Sequence, residues 1–151
     1  SNAGEFWSID AWRRGRGRQE PVVGIYWPQL LLKIHVCTMY AITGWPRLYE
    51  PAWSGGTMLL AALGDGWYSR YSLDWFLFRE ALRVACYGAL LLEPLAPLLL
   101  FIPRIAPWCA LALIGMHVTL EVLMNLGWWQ YMMIAALTTF LPAAWLRLPH
   151  R

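Results

Sequence analysis

Charged residues are scarce in this chain of 151 residues. They make up 14% of it, and apolar residues make up 59%, whereas a typical soluble domain has about 25% charged and 45–50% apolar residues. This balance excludes a disordered chain and argues against an ordinary soluble globular domain. Eleven Trp and seven Tyr side chains are typical of proteins whose aromatic rings collect between hydrocarbon and lipid headgroups. The composition therefore predicts a membrane protein whose main partner is the lipid bilayer.

The surplus of positive charge is too small and too localised to indicate a nucleic-acid partner. The formal net charge is +3, and a good part of the basic residues lies in one short run at residues 13–18. A nucleic-acid-binding face would spread such residues over a whole surface. We therefore expect no nucleic acid among the partners.

The chain has only three cysteines, and their spacing matches no known cysteine motif. Cys37, Cys86 and Cys109 all lie in apolar runs, and the chain has no C-x-x-C motif. Their spacing indicates neither a disulfide framework nor a zinc site, and the absence of C-x-x-C disfavours a quinone reductase with a redox-active disulfide. We interpret the three cysteines as small core residues and expect no metal site.

Long runs with few charges predict membrane spans. Residues 105–120 and 122–146 contain no Asp, Glu, Lys or Arg, and a spanning helix needs about 20 mostly apolar residues. Two other runs carry few charged groups, Lys33 in the first and Glu93 in the second. We predict an all-α fold, a polytopic transmembrane helix bundle with spans near residues 21–46, 75–103, 105–124 and 127–147 and a short interfacial helix near residues 55–63.

The basic residues that flank these spans predict their orientation. More of them lie on the side of the N-terminal Arg-rich run than on the opposite side, and basic loops are retained in the cytoplasm. The long loop of residues 47–74 would then face outward. The sequence thus predicts a multi-pass protein, most typical of a bacterial inner membrane.

A polar stripe follows one face of the first predicted span. Its residues recur at steps of three or four, which places them on one side of a helix, and the other faces are apolar. We expect the stripe to face the bundle interior. Alternatively, Lys33 only pairs with a carboxylate such as Glu93 or Glu121 and holds helices together. The stripe consists of Gln29, Lys33, Cys37, Tyr40, Gly44 and Arg47.

A second polar face lies on the third predicted span. His117, Glu121 and Asn125 are spaced by four residues, so they share one side of the helix. An imidazole beside a carboxylate is typical of a proton relay. The alternative is a hydrogen-bonded cluster between helices without a chemical role.

The order of motifs resembles a known membrane family. The first part has Trp7-Ser8-Ile9-Asp10-Ala11, an Arg-rich stretch, a span with Tyr40 and Gly44, and then Arg47-Leu48, Trp53 and Gly55. The end has His117, Met124-Asn125, Gly127, Tyr131-Met132 and the residues Pro142, Trp145 and Leu148. In this order they resemble the vitamin K-dependent gamma-carboxylases and their bacterial relatives, the HTTM-domain membrane proteins, over nearly the whole chain.

The resemblance implies a fragment of a larger membrane domain. That domain begins with further helices, and the animal carboxylases add a soluble domain; neither is present here. The given sequence would then begin within the membrane domain, and Ser1-Asn2-Ala3 would be either natural residues or an expression scar.

The resemblance also implies a chemistry. In the carboxylases, a lysine about two residues after the glycine that ends this span is the amine base that starts oxygenation of vitamin K hydroquinone. The strong base so generated removes a γ-proton from a glutamate, and the carbanion takes up carbon dioxide. The implied cofactor is therefore a reduced, vitamin K-like quinone, but Arg47 occupies the position of that lysine.

This departure argues against carboxylase activity. A guanidinium stays protonated in proteins and is a poor amine base. Lys33 lies fourteen residues earlier, about 21 Å along a helix, and cannot replace the missing lysine. Arg47 is instead suited to hold an anion through its fork of donors, unless it only extends its charge toward the membrane surface.

These observations lead to three hypotheses. The first is an HTTM-type protein that binds an amphiphilic ligand or peptide in an intramembrane cavity, with Arg47 on its anionic end and Trp45, Trp53 and Trp67 on its apolar part. The second is a quinol-dependent carboxylase or oxygenase that uses another base. The third is a transporter, or an immunity protein directed against a secreted peptide. The candidate ligand-binding residues are Lys33, Tyr40, Arg47 and Trp53, and the candidate catalytic residues are Arg47, His117 and Glu121.

Overall fold

The computed structural model describes residues 27–142 and Trp145. The chain divides after Leu32 into two compact units. Of the first unit, the structure describes only the beginning of one helix. The contacts reported below all lie within the second unit, Lys33–Arg151.

The described residues are helical, and their only β-type pairing is an isolated bridge between Ser69 and Met124. The predicted all-α class is therefore confirmed for this part of the chain. Two 3-10 turns, Trp75–Phe78 and Thr138–Phe140, accompany the α-helices. The helices are α1 (Trp27–Arg47), α2 (Pro51–Ser54), α3 (Met58–Gly64), α4 (Arg79–Leu99), α5 (Ala106–Leu123) and α6 (Trp129–Leu137).

Two helical stretches are long and apolar enough to cross a membrane. They are Trp75–Leu99, which joins the first 3-10 turn to α4, and α5, with 25 and 18 residues. Only 28% of the most apolar window of each is buried, so most of their apolar surface is exposed, as expected of helices that face lipid. Helix α1 has 21 residues, but it is not one of the two, because polar side chains such as Lys33 and His35 lower its hydropathy.

Two of the four predicted spans, those near residues 75–103 and 105–124, thus correspond to membrane-capable helices among the described residues. The other two are not confirmed as spans. In the fourth predicted span, α6 has nine residues, which rise about 13.5 Å, less than the roughly 30 Å of a hydrocarbon core. The second 3-10 turn follows α6 directly. Residues 143, 144 and 146–151, together with the Arg-rich run and Trp7-Ser8-Ile9-Asp10-Ala11, lie outside the described residues.

The main core forms where α1, α4, α5 and α6 pack together. The predicted inner face of α1 is confirmed for Cys37, Tyr40 and Gly44, which are buried. It does not extend to Gln29, which is exposed, and Arg47 is only partly buried. The three cysteines are free and buried, as predicted. The core consists of Val36, Cys37, Tyr40, Ala96, Leu100, Cys109, Ala110, Leu113, Met133, Leu137 and Phe140.

A second cluster stabilises the end of the bundle where residues 48–74 meet residues 124–128, which we call the loop end. Leu63, Trp75, Leu82 and Met124 form its buried centre. The main chains also pair there: the Arg70 N–H donates to the Leu123 carbonyl at 3.0 Å. The long loop is therefore packed against the end of α5.

The predicted interfacial helix corresponds to α3, which begins at Met58 rather than near residue 55. Gly56 precedes it with φ of +70°, a left-handed conformation that favours glycine. Side chains of Arg83 and Tyr87 also leave no room for a Cβ at this position. The turn at Gly56 therefore delays the start of the helix.

Helices α1 and α4 approach each other most closely at Gly44. A Cβ placed on Gly44 would lie 2.8 Å from the Pro94 nitrogen and 2.9 Å from the carbonyl carbon of Glu93. These are main-chain atoms, so neither contact can be relieved by moving a side chain. Only glycine at this position allows the two helices to pack as they do.

The Gly44 contact predicts a specific sensitivity to a single methyl group. Replacing Gly44 by Ala forces α1 and α4 apart, and overpacking of this kind costs about 1–3 kcal/mol. We expect a clearly lower midpoint of thermal unfolding in detergent.

The matched control is Gly88→Ala on α4, where a Cβ meets nothing within 4 Å. Alanine favours a helix interior over glycine by up to about 1 kcal/mol, so this variant should be as stable as the wild type or more so. Equal midpoints for the Gly44→Ala variant and the wild type would contradict the close approach.

Candidate functional site

Arg47 lies in an ion pair with Glu93, which joins the end of α1 to α4. Its Nη1 donates to Glu93 Oε2, and its guanidinium carbon lies 4.4 Å from the centre of the Trp53 ring. The Glu93 side chain is 6% exposed and that of Arg47 is 28% exposed. Pairing and stacking together compensate for the cost of burying these charges.

The local sequence explains why these groups meet. Arg47 is three residues after Gly44, so both lie on the same face of α1. Glu93 precedes Pro94, the residue against which Gly44 packs. Helix α2 then brings Trp53, which is buried, under the guanidinium. The close contact of the two helices thus sets the position of the ion pair.

A second buried network connects α1, α5 and α6. The Tyr40 hydroxyl lies 2.7 Å from His117 Nε2, and His117 Nδ1 is hydrogen-bonded to Gln130 Oε1. An amide oxygen only accepts, so Nδ1 carries the proton and donates to Gln130. His117 Nε2 then accepts from the tyrosine hydroxyl. Both imidazole nitrogens are satisfied within the protein.

A third network lies at the loop end and includes Glu121. Arg70 donates from Nη2 to Glu121 Oε1 and from Nε to the Met124 carbonyl at 3.0 Å. The Tyr131 hydroxyl donates to the same Glu121 Oε1 at 2.9 Å. This network is more exposed than the other two, with 40% of the Arg70 side chain accessible.

His117 and Glu121 share one face of α5 but belong to different networks. The hydrogen bonds described for His117 go to Tyr40 and Gln130, whereas those of Glu121 come from Arg70 and Tyr131. The described hydrogen bonds thus place the two side chains in separate networks and do not join them into a relay.

The remaining candidates are distributed over several places. The Lys33 ammonium lies 5.3 Å from the centre of the Phe140 ring. The carboxylates that were considered as its partners are paired with arginines, Glu93 with Arg47 and Glu121 with Arg70. Trp45 is half exposed and Trp67 almost fully exposed, so only Trp53 among the three tryptophans packs in the buried site.

Sequence reasoning missed Gln130, Arg70 and Tyr131. Gln130 gives a weak signal, a single amide in an otherwise apolar run, and its burial at 2% exposure depends on the packing of α6 against α5. Arg70 lies far from Glu121 in sequence, and only the pairing of the two loops brings them together. A search for polar residues within apolar runs would have found Gln130.

Two cavities open at the loop end, and Arg70 lines both. The small cavity, about 370 Å³, is lined by Arg70, Glu121, Gly127, Trp128 and Tyr131. The large cavity, about 690 Å³, lies between α3 and the segment that leads into α4. Apolar side chains such as Leu60 and Phe76 line the large cavity together with polar ones such as Arg70 and Asp74.

The Tyr40 network predicts a measurable contribution to stability. Replacing Tyr40 by Phe keeps the ring but leaves the buried His117 Nε2 without its hydrogen bond, which costs about 1–3 kcal/mol. We expect a lower unfolding midpoint in detergent.

The control for Tyr40→Phe is Tyr49→Phe, because Tyr49 is 82% exposed and surface substitutions change stability by less than about 0.5 kcal/mol. If both variants unfold at the same temperature, the hydrogen bond between Tyr40 and His117 does not stabilise the fold.

Comparison with known proteins gives one positive result. A sequence model of the HTTM domain matches residues 1–145. No curated protein and no solved structure matches the chain. The family match agrees with the two membrane-capable helices, and together they indicate a membrane protein. Since the match covers nearly the whole chain, the protein belongs to the HTTM domain family.

Proposed function

We propose that this HTTM-domain protein binds an amphiphilic ligand at the loop end of the bundle and does not use Arg47 as the base of a carboxylation. The volume of the large cavity, about 690 Å³, carries the proposal. Binding pockets for small molecules usually measure about 300–1,000 Å³ and combine apolar walls with a few polar groups. The large cavity has both properties.

The lining of the large cavity matches an amphiphile. Leu60, Leu73 and Phe76 provide apolar surface on which a hydrocarbon chain can pack. Arg70 and Asp74 provide charged groups on the same cavity. A ligand with an apolar chain and a polar end would therefore find complementary surfaces for both parts.

In this proposal, Arg47 is a positioning residue. An anionic ligand at Arg47 would have to displace Glu93, which already neutralises the guanidinium. Trp53 covers the guanidinium as well. Arg47, Tyr40 and Trp53 then hold the helices in place, and Lys33 lies near Phe140 in the main core.

The enzyme alternative is supported by one observation. Tyr40 and His117 form a buried, hydrogen-bonded pair of groups that can transfer protons, and Gln130 orients the imidazole; this pair could assist a quinol-dependent carboxylase. The residues present do not fit a carboxylase that relies on its lysine, because Arg47 occupies that position and is paired with Glu93.

A photolabelling experiment tests the binding site. The protein in detergent is mixed with a fatty acid that carries a photoreactive diazirine on its chain. The mixture is illuminated, and the labelled peptides are identified by mass spectrometry. We expect label on residues 58–76. Gly64→Leu fills open space at the large cavity and should reduce this label at least about fivefold, because the ligand then loses apolar contact worth about 1 kcal/mol.

The matched control is Gly115→Leu on α5. A Cβ at Gly115 also meets nothing within 4 Å, and Gly115 lines neither cavity. This variant should be labelled like the wild type. Label that falls elsewhere on the chain, or equal labelling of both variants, would contradict the proposed site.

The role of Arg47 is tested with a single and a double variant. Arg47→Gln leaves the buried Glu93 unpaired, and loss of one partner of a buried ion pair destabilises a fold by up to about 3–5 kcal/mol. Arg47→Gln/Glu93→Gln removes both charges and should recover most of this stability and the wild-type photolabelling. A tenfold loss of labelling in the folded double variant would instead place the anionic end of the ligand on Arg47.

Incubation with reduced vitamin K, labelled carbon dioxide and a glutamate-containing peptide tests the enzyme alternative. We expect neither quinone epoxide nor fixed label. Formation of both products would replace the binding proposal by a quinol-dependent carboxylase, and loss of both in the Tyr40→Phe variant would then assign the base to the Tyr40 network.

A further inference from the structure

We propose that the amphiphile in the large cavity carries a positively charged ammonium at its polar end and that Asp74 binds this group. The inference rests on the proposed function, because it names the chemical class of the ligand for the same cavity. The large cavity measures about 690 Å³, and the charged side chains of its wall are Arg70 and Asp74. The class of ligand depends on which of these two charges remains available to an incoming group.

Arg70 is already held by other groups of the protein. Its Nη2 donates to Glu121 Oε1, and its Nε donates to the Met124 carbonyl at 3.0 Å. The Glu121 side chain is mostly buried, so breaking this ion pair would leave a buried charge without its partner. An anionic ligand would therefore have to compete with Glu121 for the guanidinium, just as it would have to compete with Glu93 at Arg47.

Asp74 has no such partner. Its Oδ1 accepts from the main-chain N–H of Phe76 at 3.2 Å, but its Oδ2 accepts no hydrogen bond from the described part of the chain. None of the ion pairs among residues 27–142 includes Asp74. Asp74 is exposed and forms part of the cavity wall, so a group in the cavity can reach its carboxylate.

The basic residue that follows Asp74 most closely in sequence, Arg79, does not neutralise it. The Nε of Arg79 lies 3.1 Å from Glu80 Oε1, and its guanidinium carbon lies 5.4 Å from the centre of the Phe76 ring. Phe76 lines the large cavity, so one aromatic ring of this wall already attracts a cation. Tyr71, which is exposed, adds a second ring to the same wall.

The loop end as a whole carries an excess of negative charge. Residues 48–74 contain three acidic side chains and one basic side chain, and residues 124–128 contain no charged side chain. The basic side chain, Arg70, is paired with Glu121. The local potential therefore favours the approach of cations, although the formal net charge of the whole chain is +3. The acidic residues are Glu50, Asp65 and Asp74.

The apolar part of such a ligand has room beside the same carboxylate. Leu73 and Phe76 flank Asp74 in the sequence and line the cavity together with Leu60. Gly64 lines it without a side chain, and a Cβ built on Gly64 would meet nothing within 4 Å. A long-chain amine can thus pair its charged end with Asp74 and pack its chain on this apolar surface.

Photolabelling with three probes tests the sign of the charge. The probes share one diazirine-bearing chain and end in a primary amine, a hydroxyl or a carboxylate. The protein is kept in an uncharged detergent at about pH 8, where the amine is protonated and the carboxylate is ionised. We expect the amine to label residues 58–76 about three- to fivefold more strongly than the alcohol, which is the effect of one ion pair at an exposed site.

The carboxylate probe should give the weakest label of the three. It should still label residues 58–76, because its chain packs in the same place. Equal labelling by the amine and the alcohol, or the strongest labelling by the carboxylate, would overturn the proposal.

Two matched variants assign the preference to Asp74. Asp74→Asn removes the negative charge but keeps an oxygen that can accept from the Phe76 N–H, and asparagine favours the same type of turn. The preference for the amine over the alcohol should disappear, and a general loss of stability would not change this ratio. The control is Asp65→Asn: Asp65 accepts from the Trp67 N–H at 3.0 Å in an equivalent turn but does not line the large cavity. It should retain the preference. Loss of the preference in both variants, or in neither, would contradict the role of Asp74.

Salt provides a second measurement. Raising the ionic strength from about 0.01 M to about 1 M shortens the screening length from about 30 Å to about 3 Å. Because Asp74 is exposed, the preference of the wild-type protein for the amine should weaken. A preference that does not depend on salt would show that the amine is not recognised through its charge.

The outcomes separate this inference from the function on which it rests. If none of the three probes labels residues 58–76, or if Gly64→Leu leaves the labelling by all three unchanged, the proposed function fails and this inference fails with it. If all three probes label these residues equally and Asp74→Asn changes nothing, the cavity binds amphiphiles without regard to charge, and only the ammonium assignment is wrong.

Discussion

An ionised side chain among apolar helices is stable only beside a partner, and the pair formed by Arg47 and Glu93 meets this constraint for α1 and α4. Burying either charged group without the other costs more free energy than the packing contact between the two helices contributes. The pair therefore requires a particular alignment of the two helices, and Gly44 allows it by letting α1 reach the main chain of α4. The ion pair between Arg47 and Glu93 and the close packing of α1 on α4 therefore depend on each other.

The same principle organises the other polar side chains. His117 is satisfied by Tyr40 and Gln130 in the core, and Arg70 is held by Glu121 and a main-chain carbonyl at the loop end. The networks differ in exposure. The core network is closed to solvent, whereas the network of Arg70 borders two cavities, and this difference is why we assign ligand binding to the loop end.

The sequence predicted much of the helical framework because apolar runs and helical spacing are local properties. The buried face of α1 followed from the three- and four-residue steps between Cys37, Tyr40 and Gly44. The first residue of α3 was harder to predict from the sequence, since it depends on the left-handed turn at Gly56. The break at Gly127 agrees with the predicted boundary between the last two spans, but the short α6 was not expected, because nothing in the uncharged run indicates that the α-helix ends at Leu137 and continues as a 3-10 turn.

The candidate site was predicted only in part, because ion pairing is decided by tertiary contacts. Arg47 and Trp53 were recognised from the family motif, and they do lie together. One alternative paired Lys33 with a carboxylate such as Glu93 or Glu121, whereas the structure pairs Glu93 with Arg47, since α1 and α4 meet one turn away from that arginine. Arg70 belongs to a loop whose position is set by tertiary contacts, such as the bridge between Ser69 and Met124 and the main-chain hydrogen bond from Arg70 to Leu123.

The two prolines of α4 give the Glu93 region one further property. Pro94 and Pro97 have no N–H, so the carbonyls of Leu90 and Glu93 lack their regular partners within the helix. A helix bends most easily where such bonds are missing. Helix α4, Arg79–Leu99, is therefore weakest in its main-chain hydrogen bonding next to the place where α1 packs against it, and the ion pair between Glu93 and Arg47 ties α1 to the helix at that same segment.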